Sequence, residues 1–161
     1  MNLFFEKNAI QNPILGAEAI WTATKACYKK SSQINGLPFA ASFVILPLAL
    51  HSRTAETLAT KNLQGALIKS LSENREIPFG LQERVEELSD LTLASISLAA
   101  ASGLITLDPV HDRPLVPYTN RHPIQHANQE VKNILAASKR IGHAIAELSF
   151  SRLCSILNLK F

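Results

Sequence analysis

Catalysis or metal binding in this chain would have to begin at its histidines, three of which share one loop-rich stretch. Asp108, His111, Asp112, His122 and His126 fall within it, and imidazole and carboxylate ligands together suit zinc. The spacing argues against a built site. Pro123 lies between His122 and His126, so the two do not share a helical face. Asp108-Pro109 and Asp112-Arg113 are also what turns use, because an aspartate side chain bonds to its own backbone. The stretch reads as a solvated hairpin tip, and no metal ligand is assigned. Cys27 and Cys154 are the only cysteines and no CxxC is present, so two partly buried thiols in a reducing cytoplasm are expected. No serine sits in GxSxG, the strained turn that exposes a nucleophile. The six glycines are scattered, with neither GxxxxGKS/T nor GxGxxG, so nothing cradles a phosphate. No catalytic, cofactor-binding or metal residue is predicted, and the chain reads as a non-enzyme.

Charge offers a different use. The net charge is +3 and the isoelectric point about 9.0, which permits an acidic protein surface or nucleic acid as partner and demands neither. Lys25, Lys29 and Lys30 crowd one helical turn, and Lys132, Lys139 and Arg140 lie on another helix. Each group is most simply a wet helix face; a salt-bridging surface for an acidic partner is the sharper reading.

The elements that would position these residues are mostly helical. With 161 residues, 47% apolar and 18% charged, the chain suits one domain, residues 1–161, that buries a real core. A chain richer in apolar residues than its core needs shows some to a partner. Residues 1–13 are interrupted by Glu6, Lys7, Asn8, Gln11 and Asn12, unlike a signal-peptide core. The greasiest run, Leu37 to Leu50, carries Pro38 and Pro47 and is shorter than the ~20 residues of a membrane span. It reads as a buried helix kinked or ended near Pro47. A cytoplasmic protein without membrane contact is expected.

A first helix is predicted from Ile14 to Lys30, with Ile14, Ala17, Ile20, Trp21, Thr24 and Tyr28 on its inner face. Ser52 or Thr54 is expected to cap a short helix, and Asn62 another containing Leu63, Ala66, Leu67 and Leu71. Leu81, Val85 and Leu88 mark the next, then a helix capped by Ser89 or Asp90 and stopped by Gly103. Leu104–Leu107 and Leu115–Tyr118 read as a β-hairpin, with Pro114 and Pro117 confining its second strand to an edge. The amphipathic segment from Val131 to Leu148 and an apolar tail close the chain, as C-terminal helices over about 129–161.

The fold class expected is therefore mainly α, a helical domain with one β-hairpin and a winged-helix-like core at about 63–118. Such a core raises DNA binding, since a recognition helix reads the major groove. The helix in that position, Ser89 to Ser102, holds no Lys or Arg, and the one before it carries Glu83, Glu86 and Glu87. Phosphate contacts need cations. Arg113 and Arg121 alone make a weak wing contact. A winged-helix DNA-binding transcription regulator is thus the second reading, not the first.

Several stretches resemble one bacterial family, the middle component of ABC-three-component systems of the Lamassu type, which defend against phage and plasmids. Leu37 to Thr54 (LPFAASFVILPLALHSRT), with its Leu50-His51 dipeptide, is the most distinctive part. The helix closing in Ala101-Ser102-Gly103-Leu104-Ile105 and the segment Ala136 to Gly142, followed by a last helix ending Ile156-Leu157-Asn158-Leu159, are also similar to it. The resemblance implies an accessory subunit with no catalytic residues and no cofactor. It would link an SMC/Rad50-like ABC ATPase to an effector nuclease and touch DNA mainly indirectly, through the ATPase. His51, Arg53, Lys139, Arg140 and Phe161 are the residues assigned to partner contact. His51 and Arg53 also suit a polar junction after a buried helix.

Overall fold

The computed structural model describes residues 12–62, 65–112, 114–118 and 125–161. Leu63, Arg113, Arg121 and His122 lie outside the described residues. The first helix, α1 (Pro13–Lys30), starts where Asn12 accepts hydrogen bonds from the Ile14 and Leu15 backbone amides at 3.0 and 3.2 Å. Pro13 occupies the first turn, where a missing N–H is harmless. Lys29 and Lys30 end the helix, where cations oppose the dipole's negative end.

The periodicity predicts one inner face for α1, but the helix is buried on most sides. Leu15, Gly16, Ala17, Glu18, Ala19, Ile20, Trp21, Ala23, Thr24 and Cys27 are all buried, whereas Ile14, expected inside, is 71% exposed. A helix buried on most sides, with only a strip left open, packs between several neighbours rather than along one. Small residues make this workable. Gly16 backs onto Ser95 on one side, and Ala23 backs onto Gly142 on another.

The apolar run is a 3₁₀ turn (Ala40–Val44) leading into a short helix, α2 (Ile45–Ala49). Pro47 therefore falls in the first turn of α2, so it interrupts no intrahelical bond. Val44, Ile45, Leu46 and Leu48 are completely buried. After it, α3 (Ser52–Ala59) is preceded by His51 at the cap position, not by Ser52 or Thr54. Helix α4 (Ala66–Glu73) begins after Gly65, which takes a left-handed φ of 67°, rather than at Asn62.

Helices α5 (Leu81–Glu87) and α6 (Ser89–Ala101) are joined at Leu88. Gly103 stops α6 at a φ of 70°, and the Leu104 amide bonds to Ala99 O at 2.9 Å. Strands β1 (Ile105–Leu107) and β2 (Leu115–Pro117) pair antiparallel, with Thr106 opposite Val116. The prolines do not leave the outer edge of β2 bare. Leu37 and Leu115 exchange backbone hydrogen bonds at 2.8 Å across it. Asn128 caps α7 (Gln129–Glu147) and Ser149 caps α8 (Phe150–Leu157).

The architecture is mainly helical with a single two-stranded hairpin. Helix α1 packs most extensively on α7, then on α6, and α7 also covers α3. The two long helices run in the same sense, since Ala23 meets Gly142 and Lys30 meets Glu147. The apolar tail docks on the chain's own core: Leu153 and Leu157 are fully buried and Leu159 nearly so. Gln82 exchanges hydrogen bonds with the Lys160 backbone at 3.0 and 3.1 Å. No helix among the described residues is long and apolar enough to cross a membrane.

Candidate functional site

Two lysine groups far apart in sequence share one groove. Lys25 and Lys29 project from α1, one turn apart, and Lys132 and Lys139 from α7, two turns apart. Together with Thr22, Ala26, Leu135 and Ala136 they line a cavity of about 690 Å³ whose lining contains no acidic residue. Glu18, otherwise buried, lies just behind, where His126 Nε2 sits 2.9 Å from both carboxylate oxygens. The pair leaves that carboxylate committed, so it cannot fully neutralise the lysines.

Lys25 Nζ stands 3.3 Å above the centre of the Trp21 ring, a cation–π contact. Burial lowers the pKa of this ammonium; Glu18 pulls it back up and Lys139 pushes it down again. Lys30 and Lys61 have carboxylate partners in Glu147 and Glu73. Among the described residues, none of the four groove lysines forms an ion pair within 4.0 Å.

The residues assigned to partner contact do not share one surface. Lys139 belongs to the groove. Arg140, one residue on, turns inward: its Nε donates to Lys61 O at 2.8 Å and its guanidinium also donates to Ala136 O at 3.0 Å. It ties the end of α3 to α7. His51 and Arg53 line a second cleft, of about 560 Å³, with Thr57, Glu76 and Phe79. There His51 Nδ1 bonds Thr54 Oγ1 at 2.8 Å, and Arg53 meets Glu76 at 2.6 Å. Phe79, which the sequence did not single out, is 85% exposed. Arg84 donates to Phe79 O and Ile77 O, fixing the loop that carries it. Phe161 is 64% exposed and stacks against Phe150 at 5.3 Å.

The two loop histidines among the described residues, His111 and His126, are held by different partners. His111 Nδ1 is 3.0 Å from Asp108 Oδ2, and the Val110 amide also bonds to Asp108, so the carboxyl's pKa is held down as in an ordinary turn. His126 has gone to Glu18 instead. Among the described residues no group of three or more His, Cys, Asp or Glu is placed to hold a metal ion. Both cysteines are free. Burial pushes the Cys27 thiol up to about 11 and raises Cys154 as well, which leaves little thiolate for nucleophilic attack at neutral pH. On α6, the exposed positions are Asp90, Leu93, Ala94, Ser97, Ala100 and Ala101, and none is a cation.

The groove had a partial signal in the sequence, since Lys25 and Lys29, and Lys132 and Lys139, recur at helical spacing. Their juxtaposition did not, because it depends on α1 meeting α7. The Glu18–His126 pair and the exposed Phe79 had no signal.

Comparison with known proteins adds one positive finding. The family model of the ABC-three component (ABC-3C) system Middle Component 3 matches residues 2–161. No curated protein and no solved structure matches the chain.

Proposed function

This chain belongs to the Middle Component 3 family of ABC-three-component systems, and on that premise we propose that it is a non-catalytic accessory subunit joining an SMC/Rad50-like ABC ATPase to an effector nuclease. Membership as an accessory middle component carries the reading, because the match spans nearly the whole chain. The setting proposed is a cytoplasmic anti-phage or anti-plasmid complex of the Lamassu type. The subunit holds the effector inactive at the ATPase and releases it when the ATPase engages foreign DNA. Such release requires different affinities for two ATPase states.

Three local features support binding over turnover. The thiols are raised, His111 and His126 are tied to separate carboxylates, and large apolar side chains such as Phe79 and Phe161 face solvent. The winged-helix-like order at about 63–118 is read as a protein-contact element within one domain, since the outer face of α6 lacks the cations that DNA demands. Coexpression tests the reading. A tagged ABC ATPase of the same three-component system is expected to retain this chain through gel filtration and to recruit the effector only in its presence. A chain that elutes alone, with ATPase and effector assembling without it, refutes the proposal.

A further inference from the structure

The groove between α1 and α7 has a character that the accessory role alone does not explain. Each wall carries cations one or two helical turns apart, Lys25 and Lys29 on one side and Lys132 and Lys139 on the other. The floor between them is small and apolar, made by Ala26, Leu135 and Ala136. Four ammonium groups without ion-pair partners among the described residues share one concavity, and Lys139 acts against the charge on Lys25 while Glu18 supports it. An anionic occupant would supply the carboxylates that these lysines lack and turn the repulsion into attraction.

We infer that this groove is a docking site for an acidic amphipathic helix of a companion subunit, its apolar stripe on the Ala26–Leu135–Ala136 floor and its carboxylates against the four lysines. Charge complementarity selects the acid, and the floor selects a protein. A helix laid in a groove contacts it at positions one and two turns apart, which is the spacing of the lysines along each wall. Nucleic acid would leave the apolar floor unused. Among the described residues the lining holds no arginine to grip phosphates and no open aromatic face for a base, since Lys25 already covers Trp21. The inference rests on the accessory-subunit reading for which protein bears the helix, and on the groove itself for its chemistry.

The test uses the full chain and three probes: a synthetic helical peptide with a leucine stripe flanked by glutamates, the same composition with the stripe scrambled, and duplex DNA. Emission of Trp21, the sole tryptophan, reports occupancy through its contact with Lys25. The ordered peptide is expected to bind at least about fivefold tighter than the scrambled one, the difference made by the apolar stripe alone. Lys29→Glu with Lys132→Glu, both at exposed positions, should weaken the ordered peptide about tenfold or more, because two attractions become repulsions. Lys69→Glu with Lys160→Glu, also exposed and equal in net charge, should weaken it by less than about twofold, as distant charges are screened. Circular dichroism confirms that each variant folds; if the first pair does not, Lys29→Ala with Lys132→Ala replaces it with the same expected direction. Equal affinity for both peptides, equal losses in the two charge-reversed pairs, or tighter binding of duplex DNA would each overturn the inference. Peptide binding by a chain that captures neither ATPase nor effector would sink the accessory role and leave the groove's chemistry standing.

Discussion

Replacing Gly142 by alanine probes the crossing on which both the core and the groove depend. In an exposed helix this change stabilises by about 1 kcal/mol, because glycine loses more freedom on folding. Here the new Cβ would lie 2.1 Å from Ala23 O and 2.7 Å from Ala23 C and Cα. These are backbone atoms of α1 and cannot swing aside. Helices α1 and α7 must part by about 1 Å to restore ordinary contact, and a gap of that size forfeits a quarter to a half of each atom pair's attraction. With about fifty pairs at 0.1–0.2 kcal/mol each, the loss is about 3 kcal/mol, at the upper end of what overpacking costs. Subtracting the helix-propensity gain leaves a net destabilisation of about 2 kcal/mol. For a chain of this size that is a fall of about 4–8 °C in melting temperature. Urea unfolding followed by Trp21 emission measures it directly, since that ring is 3% exposed. A variant as stable as the parent, or more so, would refute the close crossing and with it the placement of Lys25 opposite Lys139.

Four further outcomes are expected. Thr92 is fully buried and its hydroxyl has no hydrogen-bond partner among the described residues, so Thr92→Val should raise stability by about 1 kcal/mol in the same unfolding assay. Burial lowers the pKa of His143, Glu147 opposes that, and Lys30 and Lys139 add to it; below about pH 6.5 the unfolded chain therefore takes up a proton the folded one resists. Stability is then fully present above that pH and lost as pH falls through the folded-state pKa, and in His143→Gln unfolding curves this part of the pH dependence should flatten. Arg140→Ala removes two bonds to backbone carbonyls and should cost about 1–3 kcal/mol in the isolated chain, a loss absent if the guanidinium served only a partner. A thiol-specific disulfide reagent at pH 8 should modify Cys154 well before Cys27, whose thiol is buried and titrates near 11; mass spectrometry of the first adduct decides.

Much of the fold was legible in local signals. Gly103 marks the end of α6 by chemistry that acts within a few residues, and the helical and strand periodicities made the helix order and the hairpin readable. The caps expected at Ser52 or Thr54, at Asn62 and at Ser89 or Asp90 gave way to His51, Gly65 and Leu88, and the other failures depended on neighbours distant in sequence. Ile14 fits the helical period of α1, yet lies outside because the buried side is set by α6 and α7 together. Pro47 reads as a kink until the preceding turn is seen to be 3₁₀. The candidate groove was half legible, as two lysine pairs at helical spacing. Arg140 belonged to the same run of cations, and only the position of Lys61 O reveals that it turns inward.

Helix α1, threaded between α6 and α7, also dictates when the molecule can fold. Its partners α6 and α7 both follow it by a long stretch of chain and are synthesised well after it. Contacts such as that of Ala23 with Gly142 are therefore among the most distant in sequence, a topology that slows folding. A nascent chain halted before α7 would expose the flank of α1 that α7 covers, an apolar surface left open to water.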